Sequence, residues 1–102
     1  MTAVQLRNID PKELLAISEV LKVISHPVRL QILELLEVHR SMCVTEILNS
    51  IEIDQPQLSH HLAKMREKGV LITERRGKNI YYSLGFEQIT KIFDCMQNCY
   101  LK

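Results

Sequence analysis

No apolar run in this sequence approaches the length that spans a bilayer, and no basic, apolar, small-residue leader opens it. A soluble, cytoplasmic protein with no membrane partner is expected. Cysteine is scarce: three residues, Cys43, Cys95 and Cys99, lack the paired spacing of a secreted disulfide scaffold, so reduced thiols in a reducing compartment are expected. Glycine and proline number three each. That is too few for a linker or low-complexity tract, and all six serve as punctuation within one domain spanning residues 1–102. Histidine stops at His61. No zinc-protease or nucleophile-elbow pattern occurs, and the adjacent His60 and His61 would diverge by about 100° on a helix. An enzyme is not expected.

Net charge is also low, at +1, but unevenly spread. Residues 64–78 hold six basic side chains (Lys64, Arg66, Lys68, Arg75, Arg76, Lys78) against two acidic ones (Glu67, Glu74), while the remainder holds seven against ten. One segment therefore carries +4 and the rest −3, the asymmetry expected where one face neutralises phosphates. A solvated helix end and hairpin would give the same count, so the cluster gains meaning only from its neighbours.

Those neighbours form a defined unit. Asp54 and Gln57 have capping-box spacing, and Pro56 falls in the first turn, where its missing N–H costs little. At 100° per residue Leu58, Leu62 and Met65 share one narrow arc with His61 at its edge, while Ser59, His60, Ala63 and Lys64 lie opposite. The opposite face has no large apolar side chain. Ser59 and Ala63 are small enough for close approach, and Gln, Ser and His supply the donors and acceptors that base edges require. Gly69 closes the helix, and residues 70–75 and 79–84 read as two strands about a turn at Gly77. Upstream, a short amphipathic helix over residues 44–51 stops just before Asp54, as in a helix-turn-helix.

Asp10-Pro11-Lys12-Glu13 is a capping box opening a helix over residues 11–25, and Pro27 opens another over residues 27–39. Gly85 separates the last strand from a final helix over residues 86–100. The expected fold is mainly α with a small β-hairpin: a winged helix-turn-helix in the order helix, helix, helix, helix, strand, strand, helix. The first and last helices carry more apolar surface than a small core uses. Leu14, Ile17, Val20, Leu21 and Ile24 form a stripe with Leu15 and Val23 outside it, and Phe86, Ile89, Ile92, Phe93, Met96 and Tyr100 form a wide arc. Two readings stay open: these helices cover the core, or they meet a partner. A two-fold homodimer through Leu15, Val20, Val23, Ile92, Phe93 and Met96 satisfies both and presents two reading helices to a palindromic site. A chain this short also gains stability from dimerisation.

Three blocks in order, ISHPVRLQILELL at 24–36, QPQLSHHLAKMREKGVL at 55–71 and RRGKNIYYSL at 75–84, resemble the ArsR/SmtB family of bacterial winged-helix repressors. The resemblance runs over residues 14–100. It implies a homodimer joined by its first and last helices and bound to an inverted-repeat operator in double-stranded DNA until an inducer lowers affinity. It puts base reading on Gln55, Pro56, Ser59 and His60, with Gln57 close by. Wing contacts to phosphate or the minor groove fall on Arg75, Arg76 and Lys78, with Lys64 and Arg66 as further backbone contacts. Pro56 has no side-chain donor, so its part would come from shape or apolar contact. His61 matches a position that packs inside, as a satisfied core histidine.

The resemblance also bears on effectors, because members sense metal or metalloid ions, sulfur species or oxidants, or have no identified ligand. The family's soft-metal pattern in the third helix has two cysteines spaced by one residue. Here Cys43 is present and Thr45 takes the second place, and one thiolate is a poor basis for such a site. The family's other metal site needs Asp and His pairs on the last helix, after the point where histidine stops. Sulfur-sensing relatives pair a cysteine in the second helix with one in the last, and Glu34 occupies the former. No cofactor is required and no metal site is assigned.

There remain Cys43, at an N-cap position three before Glu46, and Cys95 and Cys99, four apart beside the apolar seam. A thiol facing the positive end of a helix is the more reactive for it. The pair could ligate a soft ion or link to a partner chain, whereas a disulfide between them inside a regular helix would need distortion. All three read equally as small, partly buried hydrophobes. The leading expectation is a sequence-specific DNA-binding repressor released by a thiol-reactive species or a thiophilic metal or metalloid. The alternatives are the same repressor without a sensor and a winged-helix protein-interaction module. The basic hairpin and small-residue face count against the latter.

Overall fold

The computed structural model describes residues 8–101. Helix α1 (Pro11–Ile24) begins as its capping box requires: Asp10 Oδ1 accepts the Lys12 N–H at 2.8 Å and Glu13 Oε1 accepts the Asp10 N–H at 3.1 Å. Two amides that the helix cannot satisfy internally are thereby paired. Helix α2 (Pro27–His39) starts differently, with His26 Nδ1 accepting the Val28 N–H at 3.1 Å. It ends in a tight turn at Arg40, whose φ of 71° and ψ of −49° are rare for a residue with a side chain. The Ser41 N–H donates to the His39 carbonyl across that turn at 2.8 Å.

Next come β1 (Met42–Cys43), α3 (Val44–Leu48), α4 (Gln55–Glu67), β2 (Leu71–Arg76) and β3 (Asn79–Leu84). The sheet has three strands rather than the two expected, in the order β1-β3-β2 with antiparallel neighbours. Met42 pairs with Tyr82 and Cys43 with Tyr81, so the segment before α3 is stitched to the wing. Helix α3 stops at Leu48, short of the expected residue 51, although the Ile51 N–H still reaches the Ile47 carbonyl at 3.2 Å.

The closing helix is also less regular than its periodicity suggests. A 3-10 turn (Glu87–Thr90) leads into α5 (Lys91–Cys95) and then a π turn (Met96–Tyr100). The buried Thr90 hydroxyl donates to the Glu87 carbonyl three residues back at 3.1 Å, which favours the tighter winding there.

Gly69 (φ 76°) ends α4 in the left-handed region, and Gly77 (φ 62°) turns the hairpin. Gly85 serves a different need: a Cβ there would overlap the Gly69 carbonyl oxygen, so the strand exit and the helix exit pass each other closely.

The core lies where α2, α3 and α4 meet the base of the sheet. Ile32, Leu33, Leu36, Ile47, Leu58, Leu62, Met65, Val70 and Leu71 are each no more than 1% exposed. Truncating one such side chain to alanine typically costs about 2–5 kcal/mol. Helix α1 contributes little, with Ile24 its one buried residue. Leu14, Ile17 and Leu21 stay 52%, 46% and 47% exposed, beside exposed Phe86 and Met96.

This redistributes the expected seam. Val20, Val23 and Phe93 pack against the chain's own core, Ile92 is half-buried, and Leu15 and Met96 are exposed. The open apolar stripe of α1 is Leu14, Ile17 and Leu21. Periodicity left open whether that stripe covers the core or meets a partner; in the single chain it stays open to water, with Ile24 in the last turn as the one buried residue of α1.

Candidate nucleic-acid interface

Helix α4 has the two faces that its sequence demands. Leu58, Leu62 and Met65 are buried, while Gln55, Pro56, Gln57, Ser59, His60, Ala63 and Lys64 are exposed. Its start is fixed by Asp54 Oδ1, which accepts the Gln57 N–H at 2.9 Å; this is one half of a capping box. The first residues of α4 are exposed, and Ser59 and Ala63 on the same side are small, which leaves room for a groove floor to approach.

The wing divides its basic residues into two kinds. Arg76 is engaged within the hairpin: its Nη2 lies 2.8 Å from Glu74 Oε1, its Nε donates to the same oxygen at 2.9 Å, and its guanidinium sits 4.6 Å from the centre of the Tyr81 ring. Its fork is already occupied. Arg75 and Lys78 take part in no ion pair among the described residues, and the same holds for Lys64 and Arg66 at the end of α4. These four are the charges best placed to meet phosphate. Lys68 instead pairs with Glu19 of α1 at 3.7 Å.

His61 was expected to be a satisfied core histidine, and the structure gives it a partner that sequence reading missed. Its Nδ1 accepts from Arg29 Nε at 3.0 Å, and its ring lies 4.5 Å from that of His26. Burial pushes the His61 pKa below the ordinary 6.5, and the charges of His26, Arg29 and His60 push it the same way. The neutral ring is the one that can accept from Arg29. The motif His26-Pro27-Val28-Arg29 was visible, but nothing local joins it to a residue 32 positions away.

The thiols divide as well. Cys43 is buried, N-caps α3 and has its own N–H bound by Glu46 Oε1 at 2.9 Å. A five-residue helix has little dipole, and a buried sulfur meets few reagents, so the structure withholds the reactive setting expected for Cys43. Cys95 and Cys99 are both exposed, at the end of α5 and in the π turn. Among the described residues no group of three or more His, Cys, Asp and Glu side chains is gathered as a metal site. No helix among them is long and apolar enough to cross a membrane.

Known proteins resemble this chain in sequence and in fold. The family model described as "Bacterial regulatory protein, arsR family" matches residues 26–73. The transcriptional repressor PagR of Bacillus anthracis is 40% identical over 83 residues, covering 78% of this chain and 83% of PagR. The crystal structure of PagR superposes with a TM-score of 0.77 at 36% identity, covering 85% of this chain and 99% of that one. The transcriptional repressor BigR from Xylella fastidiosa superposes with a TM-score of 0.75 at 32% identity, covering 87% and 90% of the two chains. Sequence and winged helix-turn-helix fold thus agree, and this chain belongs to the ArsR family of bacterial transcriptional regulators.

Proposed function

We propose that this chain is a homodimeric repressor that binds an inverted-repeat operator in double-stranded DNA. Gln55, Pro56, Gln57, Ser59 and His60 of α4 read base edges in the major groove. Lys64, Arg66, Arg75 and Lys78 hold the phosphate backbone, and Arg76 joins them only by leaving Glu74. The carrying observation is the exposed small polar face of α4 beside Arg75 and Lys78, which take part in no ion pair among the described residues. Base-edge contacts then specify sequence while the basic residues fix register. PagR and BigR, both described as transcriptional repressors, support the direction of regulation.

The effector in this reading is a thiol-reactive species or thiophilic ion acting at Cys95 and Cys99. Their exposure and their position on the helix that carries Ile92 and Met96 support it. Linkage there would alter the angle between subunits and hence the spacing of the two reading helices. A second reading drops the sensor. The burial of Cys43 favours it, since the third thiol is withdrawn from such chemistry.

Binding to the DNA upstream of the protein's own gene is the test, with reduced, oxidised, arsenite-treated and cadmium-treated protein. Specific binding by the reduced form is expected, with release on treatment. The same release from a Cys95→Ser, Cys99→Ser variant would remove these thiols from the mechanism, and no release in either would establish the sensorless reading.

A further inference from the structure

Three helices meet at one polar knot. Arg29, in the first turn of α2, donates from Nη1 to the Val23 carbonyl in the last turn of α1 at 2.8 Å and from Nε to His61 Nδ1 in α4 at 3.0 Å. The His26 ring lies 4.5 Å from that of His61, inclined to it by 52°, while its own Nδ1 caps α2. Neither acceptor of the Arg29 guanidinium is a carboxylate, and no acidic partner of Arg29 occurs among the described residues. The guanidinium is half-buried, so its direction is set by these two acceptors.

We infer that Arg29 is a positioning residue for DNA reading: its two donors tie the imidazole of His61 in α4 to the final turn of α1, so that the reading helix and the terminal helix hold one relative orientation. This rests on the DNA-reading function proposed above. His60, on the reading face, is the next residue along the backbone from the tied imidazole, with ring centres 5.9 Å apart. A tilt of α4 at residue 61 therefore re-aims a base-reading side chain. Because α1 also bears the open apolar stripe, the link runs from the candidate subunit seam to the groove.

The link has a built-in sensitivity to acid. Protonated His61 has no lone pair at Nδ1 and places a second cation against Arg29, with His26 and His60 as the other titratable neighbours. Since folding lowers the His61 pKa below 6.5, the link is complete at neutral pH and above and is lost as pH falls through that lowered value.

The test uses the full chain and a duplex bearing the inverted repeat that the parent selects from a random-sequence pool. Affinity for it and for a scrambled duplex is measured at constant ionic strength between about pH 8 and about pH 5.5. Arg29→Lys keeps the charge but not the two-donor fork. We expect its preference for the selected duplex to fall about tenfold at the higher pH, as loss of one charge-assisted hydrogen bond would produce, with scrambled binding retained. His61→Asn offers an amide oxygen near the Nδ1 position and does not titrate, so its affinity should fall less with acid than the parent's. His26 and His60 are common to both proteins and cancel in that comparison.

Parallel pH profiles for parent and His61→Asn, or full preference in Arg29→Lys, would overturn the inference. A parent without preference for any duplex would overturn the proposed function as well. Independently of DNA and of any variant's folding, the Arg29 Nε–H proton resonance should be slow to exchange at neutral pH and broaden as His61 titrates. Exchange like that of a free guanidinium throughout would overturn the inference equally.

Discussion

Arg75 and Arg76 are adjacent in sequence and unlike in circumstance. Arg76 is held by Glu74 and Tyr81, whereas Arg75 has no ion-pair partner among the described residues. Charge on a flexible, unengaged side chain is available to phosphate, so Arg75→Ala or Lys78→Ala should weaken binding to every duplex and lower the salt slope by about one unit each. Gln55→Ala and His60→Ala should instead reduce discrimination by about 1–3 kcal/mol per base pair read, with little change in the salt slope. Titrations across a salt series on specific and scrambled duplexes separate the two classes, and identical behaviour would refute the division of roles. Arg40 concerns stability instead. Its left-handed φ burdens a residue with a Cβ, so Arg40→Gly should raise stability by about 1 kcal/mol, read as a higher denaturation midpoint.

Among the elements, α4 combines a marked start, a marked end and a buried stripe, and each is separately breakable. Asp54→Ala removes the acceptor of the Gln57 N–H and should cost about 1 kcal/mol of stability, loosening the residues that reach the groove first. Amide exchange at Gln57 would report it, and unchanged protection would show that the cap is idle. Helices α1, α2 and α4 and the hairpin were legible because Asp10, Pro27, Asp54, Gly69 and Gly77 mark their limits locally. Strand β1 was not, since two residues have no period and their pairing depends on Tyr81 and Tyr82 far along the chain. The change of winding after Gly85, where the Thr90 hydroxyl bonds back to the Glu87 carbonyl, has no counterpart in the apolar spacing. The α4 faces could be read from spacing, but the Arg29–His61 link could not, because a long-range contact leaves no periodic trace. Spacing also identified an apolar stripe on α1 without indicating what covers it.

At the scale of the molecule, a domain of this length compacts to a radius of gyration of about 13 Å. This one reaches 15.9 Å, with extents of 59 × 32 × 21 Å. An elongated body with Leu14, Ile17 and Leu21 open to water is one that a second copy would complete. Ile17→Glu or Leu21→Glu should convert a dimer to a monomer without disturbing the core, because both positions are nearly half exposed in the single chain. Sedimentation at micromolar concentration decides, and a parent that sediments only as a monomer would dismiss the seam.

The strand order β1-β3-β2 leaves six-residue β2 as the outer edge of the sheet, with Ile72 and Ile80 exposed at 52% and 43% on the hairpin. Such an edge is a template on which another chain can add a strand and begin to aggregate. Glu74, Arg75 and Arg76 line it, and charge of this density deters strand addition. The side chains proposed to meet phosphate would therefore also guard this edge in the unbound protein. An Arg75→Ala, Arg76→Ala variant should scatter light on standing while the parent stays clear, and bound duplex should protect it by covering the same edge. If the variant remains as clear as the parent, the wing's charges serve the nucleic acid alone.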